Sequence, residues 1–120
     1  MCGAMRRGQR LRQRREFAEV YRRGRTYRGE LLVLRALGTG GPVSRFGFTT
    51  GVALGNAVVR NRLKRRLREA VRSLPVSPGW DLVLNARRGA GDANYGRLHA
   101  QVSDLMERAG LLEGPGEEAK

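Results

Sequence analysis

The chain has 120 residues, 24 of them Lys or Arg against 11 Asp or Glu, for a formal net charge of +13. That length holds one domain around a single core and is too short for two. A compact fold with so large a cationic excess repels itself unless a polyanion neutralises it, so nucleic acid is the expected partner. Cys2 is the only cysteine, which excludes an intramolecular disulfide and a cysteine zinc cluster. No apolar run approaches the roughly 20 residues that span a bilayer, and the basic N-terminus lacks the apolar stretch of a signal peptide. A cytoplasmic protein is expected.

Residues 1–9 are polar, basic and Gly-containing, and are expected to be disordered. Residues 10–23, RLRQRREFAEVYRR, carry Leu11, Phe17, Val20 and Tyr21 as a helical stripe, and Gly24 is a stop of the left-handed kind. Phe17 and Tyr21, four apart on one face, suit either the core or a groove where unpaired bases stack. Residues 31–37 are β-compatible aliphatics interrupted by Arg35 and followed by a turn cluster of Gly, Thr and Pro. Residues 45–50 alternate Phe46 and Phe48 against Gly47 and Thr49, so the two phenylalanines should face the helices. A short third strand is expected at residues 52–54, before Asn56 caps the next helix.

Residues 57–73, AVVRNRLKRRLREAVRS, contain neither Gly nor Pro and predict a helix of about 17 residues. Val59, Leu63, Leu67, Ala70, Val71 and Leu74 fall on one arc, with Asn61, Arg65, Arg68 and Arg72 opposite and Lys64 close by. Arg60, Arg62, Lys64, Arg65, Arg66, Arg68 and Arg72 oppose only Glu69, so the acidic i,i+4 partners of an ordinary surface helix are missing. Their counter-charge is expected on another molecule. The apolar arc lacks the Trp or Phe of an interfacial anchor, which argues against a membrane. Residues 80–86, WDLVLNA, read as a final strand, and residues 87–91 as a basic turn. Residues 94–109 form a closing helix through Leu98, Val102, Leu105, Met106 and Ala109, stopped by Gly110.

The order helix, three strands, helix, strand, helix makes an α+β two-layer sandwich on a sheet of about four strands. One domain over residues 10–112 is expected, with residues 113–120 a loose tail. Strands flanking the central helix form a βαβ unit, for which the general rule is a right-handed crossover.

Unaided cleavage of a phosphodiester needs a general base, or paired carboxylates that hold metal. Glu16, Glu19, Glu30, Glu69, Asp81, Asp92, Asp104 and Glu107 are scattered singly, and His99 has no titratable partner in sequence reach. No nucleophile elbow, Cys/His pair or P-loop is present, so no catalytic residue is assigned. What remains is binding, at the cationic helix, the aromatic first helix and the strand bearing Arg35. These suggest one electrostatic surface and one suited to an unpaired strand.

Residues 55–72, GNAVVRNRLKRRLREAVR, closely resemble the arginine-rich signature helix of the protein subunit of bacterial ribonuclease P. REFAEVYRRGR resembles that family's first helix, LLVLRAL and RFGFTT its strands, and GWDLVLNARRGA with the final helix its closing part. The resemblance implies a protein cofactor in a ribonucleoprotein endoribonuclease that matures the 5′ end of tRNA. A large catalytic RNA would perform the hydrolysis with magnesium, and the protein would bind that RNA and the leader of precursor tRNA. No metal of the protein's own and no obligate protein partner are implied. By position, Arg60, Asn61, Arg62, Lys64, Arg65, Arg66 and Arg68 would face the catalytic RNA. Phe17, Tyr21, Val33, Arg35 and Thr49 would line a central cleft for the single-stranded leader.

The resemblance also implies a left-handed βαβ crossover, against the general rule. One departure stands out. Where the family usually has a Ser-Val-Ser-Lys-Lys-like segment before the signature, this chain reads Thr49-Thr50-Gly51-Val52-Ala53-Leu54, without lysine. Two readings compete with the family reading: a structural ribosomal protein that clamps rRNA through the same helix, and a nuclease in its own right.

Overall fold

The computed structural model describes residues 10–11, 13–51 and 55–112. Expectations for residues 1–9, 52–54 and 113–120 lie outside them. The order is α1 (Arg14–Arg23), β1 (Arg25–Arg28), β2 (Leu32–Gly38), β3 (Arg45–Thr49), α2 (Ala57–Arg72), β4 (Trp80–Ala86), a 3₁₀ turn (Ala90–Asp92) and α3 (Tyr95–Arg108). Helix, three strands, helix, strand, helix is the expected sequence of elements. The strand expected at residues 52–54 lies outside the described residues, and β1 is an unexpected strand, a polar RTYR segment with no apolar alternation to announce it.

Strand alternation divides the molecule into two unequal cores. The sheet runs β1-β2-β4-β3, antiparallel except for the parallel β3/β4 pair, so β3, α2 and β4 make a βαβ unit. From β2 and β4, Leu32, Leu34, Leu82 and Leu84 point to one face, where they meet Leu63 and Leu67 of α2 and Leu98, Val102, Leu105 and Met106 of α3. Phe46 joins that cluster and Phe48 packs against it, as their alternation requires. On the opposite face Val83 meets Leu11 and Val20, with Phe17 and Leu37 alongside. The helical layer of the sandwich is α2 with α3, while α1 covers only part of the second face.

Local chemistry sets the helix ends. Asn56 Oδ1 accepts from Val59 N at 3.1 Å and Asn94 Oδ1 from Arg97 N at 2.8 Å, capping α2 and α3. Gly110, at φ 74°, stops the last helix in the left-handed region. The first helix begins at Arg14 rather than Arg10 because the preceding residues are engaged elsewhere. Arg10 forms a bridge with Phe46, and Leu11 N donates to Phe46 O at 2.9 Å.

Gly24 ends α1 for a different reason from the one expected. Its φ of −79° and ψ of 164° are extended, not left-handed. A Cβ there would lie 2.6 Å from Val20 O and 2.8 Å from Ala36 O, so the glycine lets the helix end press against β2. Gly24→Ala should therefore destabilise the fold by about 1–3 kcal/mol although alanine tolerates that φ. Gly51→Ala, with nothing within 4 Å of its added carbon, should change stability by less than about 0.5 kcal/mol. Urea unfolding of the two variants checks this, and equal midpoints would contradict the close-approach account.

Candidate nucleic-acid interface

The part of the second sheet face left open by α1 carries a polar cluster. Alternation puts Val33 and Arg35 of β2, Asn85 of β4 and Thr49 of β3 on this face, and register sets both Val33 and Thr49 opposite Asn85. Arg35 Nε donates to Asn85 Oδ1 at 3.0 Å, and Arg35 Nη1 to Thr26 Oγ1 at 3.2 Å. Asn85 Nδ2 donates to Tyr21 Oη at 2.7 Å and also to Thr49 Oγ1. The Arg35 guanidinium lies 4.7 Å from the centroid of the Tyr21 ring, a cation–π contact.

The five residues expected in a cleft do not share one environment. Tyr21 is 44 % exposed and Arg35 and Thr49 are half-buried. Val33 is buried, so it supplies the apolar floor and little else. Phe17 is half-buried and belongs to the second core, because Gly47 leaves it room. An added Cβ on Gly47 would meet the Phe17 ring at 2.5 Å. Asn85 and Thr26 join the cluster although the sequence reading missed them. The available signal was Asn85's place on the polar side of an otherwise apolar strand.

On the other face of the sheet, α2 buries Leu63, Leu67, Ala70 and Val71 and turns its cations outward. Asn61 and Arg65 are exposed, and Arg60, Arg62, Lys64, Arg66 and Arg68 are half-buried. Two of them are tied to the chain's own backbone, Arg60 Nε to Gly55 O at 3.2 Å and Arg66 Nη1 to Ala93 O at 3.0 Å. Among the described residues, the only ion pair of this helix is Arg72 with Glu69, at 2.8 Å. Burial lowers the Arg68 guanidinium below its ordinary pKa, and the charges of Arg10, Arg65 and Arg72 push the same way. Repulsion is thus built into this face, and Arg10 beside β3 extends it.

A second charged cluster joins α1 to the sheet. Arg45 Nη2 lies 2.8 Å from Asp81 Oδ2, and Arg45 Nη1 lies 2.8 Å from Glu16 Oε2. The hydrogen bond to Asp81 holds the Arg45 guanidinium above its ordinary pKa against the opposing effect of burial, and the bond to Glu16 adds to it. These groups line an open cavity of about 550 Å³ between α1 and the ends of β2 and β4. Glu19, Glu30 and Asp104 are likewise paired with arginines. Among the described residues no three His, Cys, Asp or Glu side chains come together as a metal site. No helix among them is long and apolar enough to cross a membrane.

The family model described as Ribonuclease P matches residues 5–110. The ribonuclease P protein component of Roseiflexus castenholzii is 43 % identical over 113 residues, covering 92 % of this chain and 93 % of the relative. That of Symbiobacterium thermophilum is 44 % identical over 115 residues, covering 93 % and 100 %. Among solved structures, the RNase P protein of Thermotoga maritima superposes with a TM-score of 0.76 at 28 % identity, covering 88 % of this chain and 98 % of that one. The Staphylococcus aureus RNase P protein shares the fold, with a TM-score of 0.80 at 23 % identity over 88 % and 98 % of the two chains.

Asp81 is 6 % exposed, so Arg45→Met would leave a buried carboxylate without its charged partner. The substitution should destabilise the chain by about 1.5–3 kcal/mol in urea unfolding. Unchanged stability would show that solvent already neutralises Asp81.

Proposed function

The chain belongs to the ribonuclease P protein family, and from that premise we propose that it binds the catalytic RNA of the holoenzyme through α2 and the 5′ leader of precursor tRNA through the cleft beneath α1. The observation that carries this reading is the unpartnered cationic face of α2. Arg62, Lys64, Arg65 and Arg68 have no carboxylate partner among the described residues, and such a face favours a phosphate backbone that releases its counterions on binding. The guanidinium fork suits phosphate oxygens, and the tightly spaced array suits a folded RNA better than an isolated anion.

The cleft has the opposite character, a polar cluster over the apolar floor of Val33 with one exposed ring. Tyr21, with the Arg35 guanidinium 4.7 Å from its ring centroid, offers a surface for an unstacked base. A leader held there dissociates more slowly, and the cations of α2 neutralise phosphates that would otherwise repel one another. The chemistry of hydrolysis is assigned to the RNA with magnesium. The described carboxylates are scattered, and most are already paired with arginines. The cytoplasm, where precursor tRNA is made, is the compartment this reading requires.

Equilibrium binding to the holoenzyme separates the two surfaces. Tyr21→Ala removes a stacking platform of about 1–3 kcal/mol, so it should weaken precursor tRNA by roughly five- to more than a hundredfold and leave mature tRNA unchanged. Equal weakening of both would sink the cleft assignment. Arg65→Ala should weaken binding of the RNA subunit and lower the slope of log affinity against log salt by about 1. An unchanged slope would remove Arg65 from the RNA interface.

A further inference from the structure

Two aromatic rings are exposed among the described residues, Tyr21 and Tyr95. The first belongs to the cleft. The second stands in the first turn of α3, 38 % exposed, outside the core that Leu98, Val102, Leu105 and Met106 of the same helix build. Its hydroxyl has no hydrogen-bond partner among the described residues, so the ring is not held there for a polar contact within the chain.

Two contacts set Tyr95 beside the cationic helix. Arg66 Nη1 donates to the carbonyl of Ala93, just before Tyr95, at 3.0 Å, and His99, one turn after it, meets Ser73 through Nε2 and Oγ at 2.9 Å. Tyr95 therefore sits along the part of α2 from Arg66 to Ser73, at the seam where α3 borders the arginine face. Its ring centroid lies 5.8 Å from that of His99, with the planes tilted by 43°. Ser73 Oγ gives its one proton to Ala70 O at 2.8 Å, so His99 Nε2 is the donor in the contact with Ser73, which fixes the imidazole. A ring with a fixed neighbour on one side loses little freedom when another ring is laid on it. Glu69, the one carboxylate of α2, is paired with Arg72 at 2.8 Å and so does not oppose an anion at this seam.

Arginines neutralise the phosphates of paired and unpaired RNA alike. An aromatic face is more selective, because the bases of a duplex are stacked on both sides and only a nucleotide in a loop, bulge or junction can lie on a side chain. We propose that Tyr95, flanked by His99, is a stacking platform for one unpaired base of the RNA subunit, at the α3 edge of the face whose arginines hold that RNA's phosphates. The inference rests on the reading of α2 as the RNA-subunit interface. It adds that the RNA on this face is not a plain duplex, and that α3 contributes to holding it.

The test is equilibrium binding of the full chain to a bacterial ribonuclease P RNA, without tRNA, over a series of salt concentrations. Tyr95→Ala and Tyr95→Leu should each weaken binding by at least about fivefold, whereas Tyr95→Phe and Tyr95→Trp, which keep an aromatic face, should bind within about twofold of the parent or tighter. The slope of log affinity against log salt should stay unchanged in all four, since stacking releases no counterion, in contrast to the lower slope of Arg65→Ala. Tyr95→Leu keeps apolar bulk at an exposed site, so its urea midpoint should match the parent's and its lost affinity is not lost fold.

If the alanine and leucine variants bind like the parent while Arg65→Ala is weakened, the platform is wrong and the α2 reading stands. A loss in Tyr95→Phe equal to that in Tyr95→Ala would assign the contact to the hydroxyl and overturn stacking, as would a lower salt slope in Tyr95→Leu. If Arg65→Ala changes neither affinity nor slope, the α2 reading fails and this inference fails with it.

Discussion

Strand β4 is the constraint on which the rest of the molecule depends. It lies between β2 and β3 in the sheet, and its residues alternate between the two cores. Leu82 and Leu84 anchor α2 and α3 on one side, and Val83 anchors α1 on the other. Near the two ends of the strand the alternation brings polar side chains to the α1 face. Asp81 there holds Arg45, which also reaches Glu16 of α1, and Asn85 organises Tyr21, Arg35 and Thr49. One strand thus fixes both how α1 is seated and what the open part of the sheet presents.

The two proposed binding surfaces differ because the two sheet faces are covered to different degrees. Two helices cover most of the first face, so the outer side of α2 is free to carry charge rather than to pack. Repulsion among Arg65, Arg68, Arg72 and Arg10 is tolerated because the buried Leu63, Leu67, Ala70 and Val71 hold the helix in place. A single short helix covers the second face, which leaves a strip of sheet exposed beside it. In the proposed function, long-range electrostatics is the part of the first surface and short-range recognition that of the second.

Most of the fold was legible because apolar periodicity is strong where packing is dense. The limits of β4 read from WDLVLNA are those observed, and α2 and α3 fall within a residue of their expected ends. The Asn56 cap and the Gly110 stop follow from local chemistry alone, whereas the Asn94 cap was not read from the sequence. β1 was illegible because its residues, RTYR, have no pattern of their own, and the strand exists through its pairing with β2. The Arg45–Asp81 ion pair depends on the parallel register of β3 against β4, which sets those two residues opposite each other across 36 positions of sequence. Phe17 read equally well as core or cleft, and only the missing side chain at Gly47 places it in the second core. Asn85 escaped notice because it sits in an apolar strand, where its meaning comes from partners on three other elements.

The central claim is that the protein binds and positions while a catalytic RNA cleaves. Its most direct test is cleavage of a precursor tRNA at low magnesium by a bacterial ribonuclease P RNA, by this protein, and by the two together. The account predicts efficient cleavage at the mature 5′ end only for the combination. Cleavage by the protein alone, or no gain when it is added to the RNA, would contradict it.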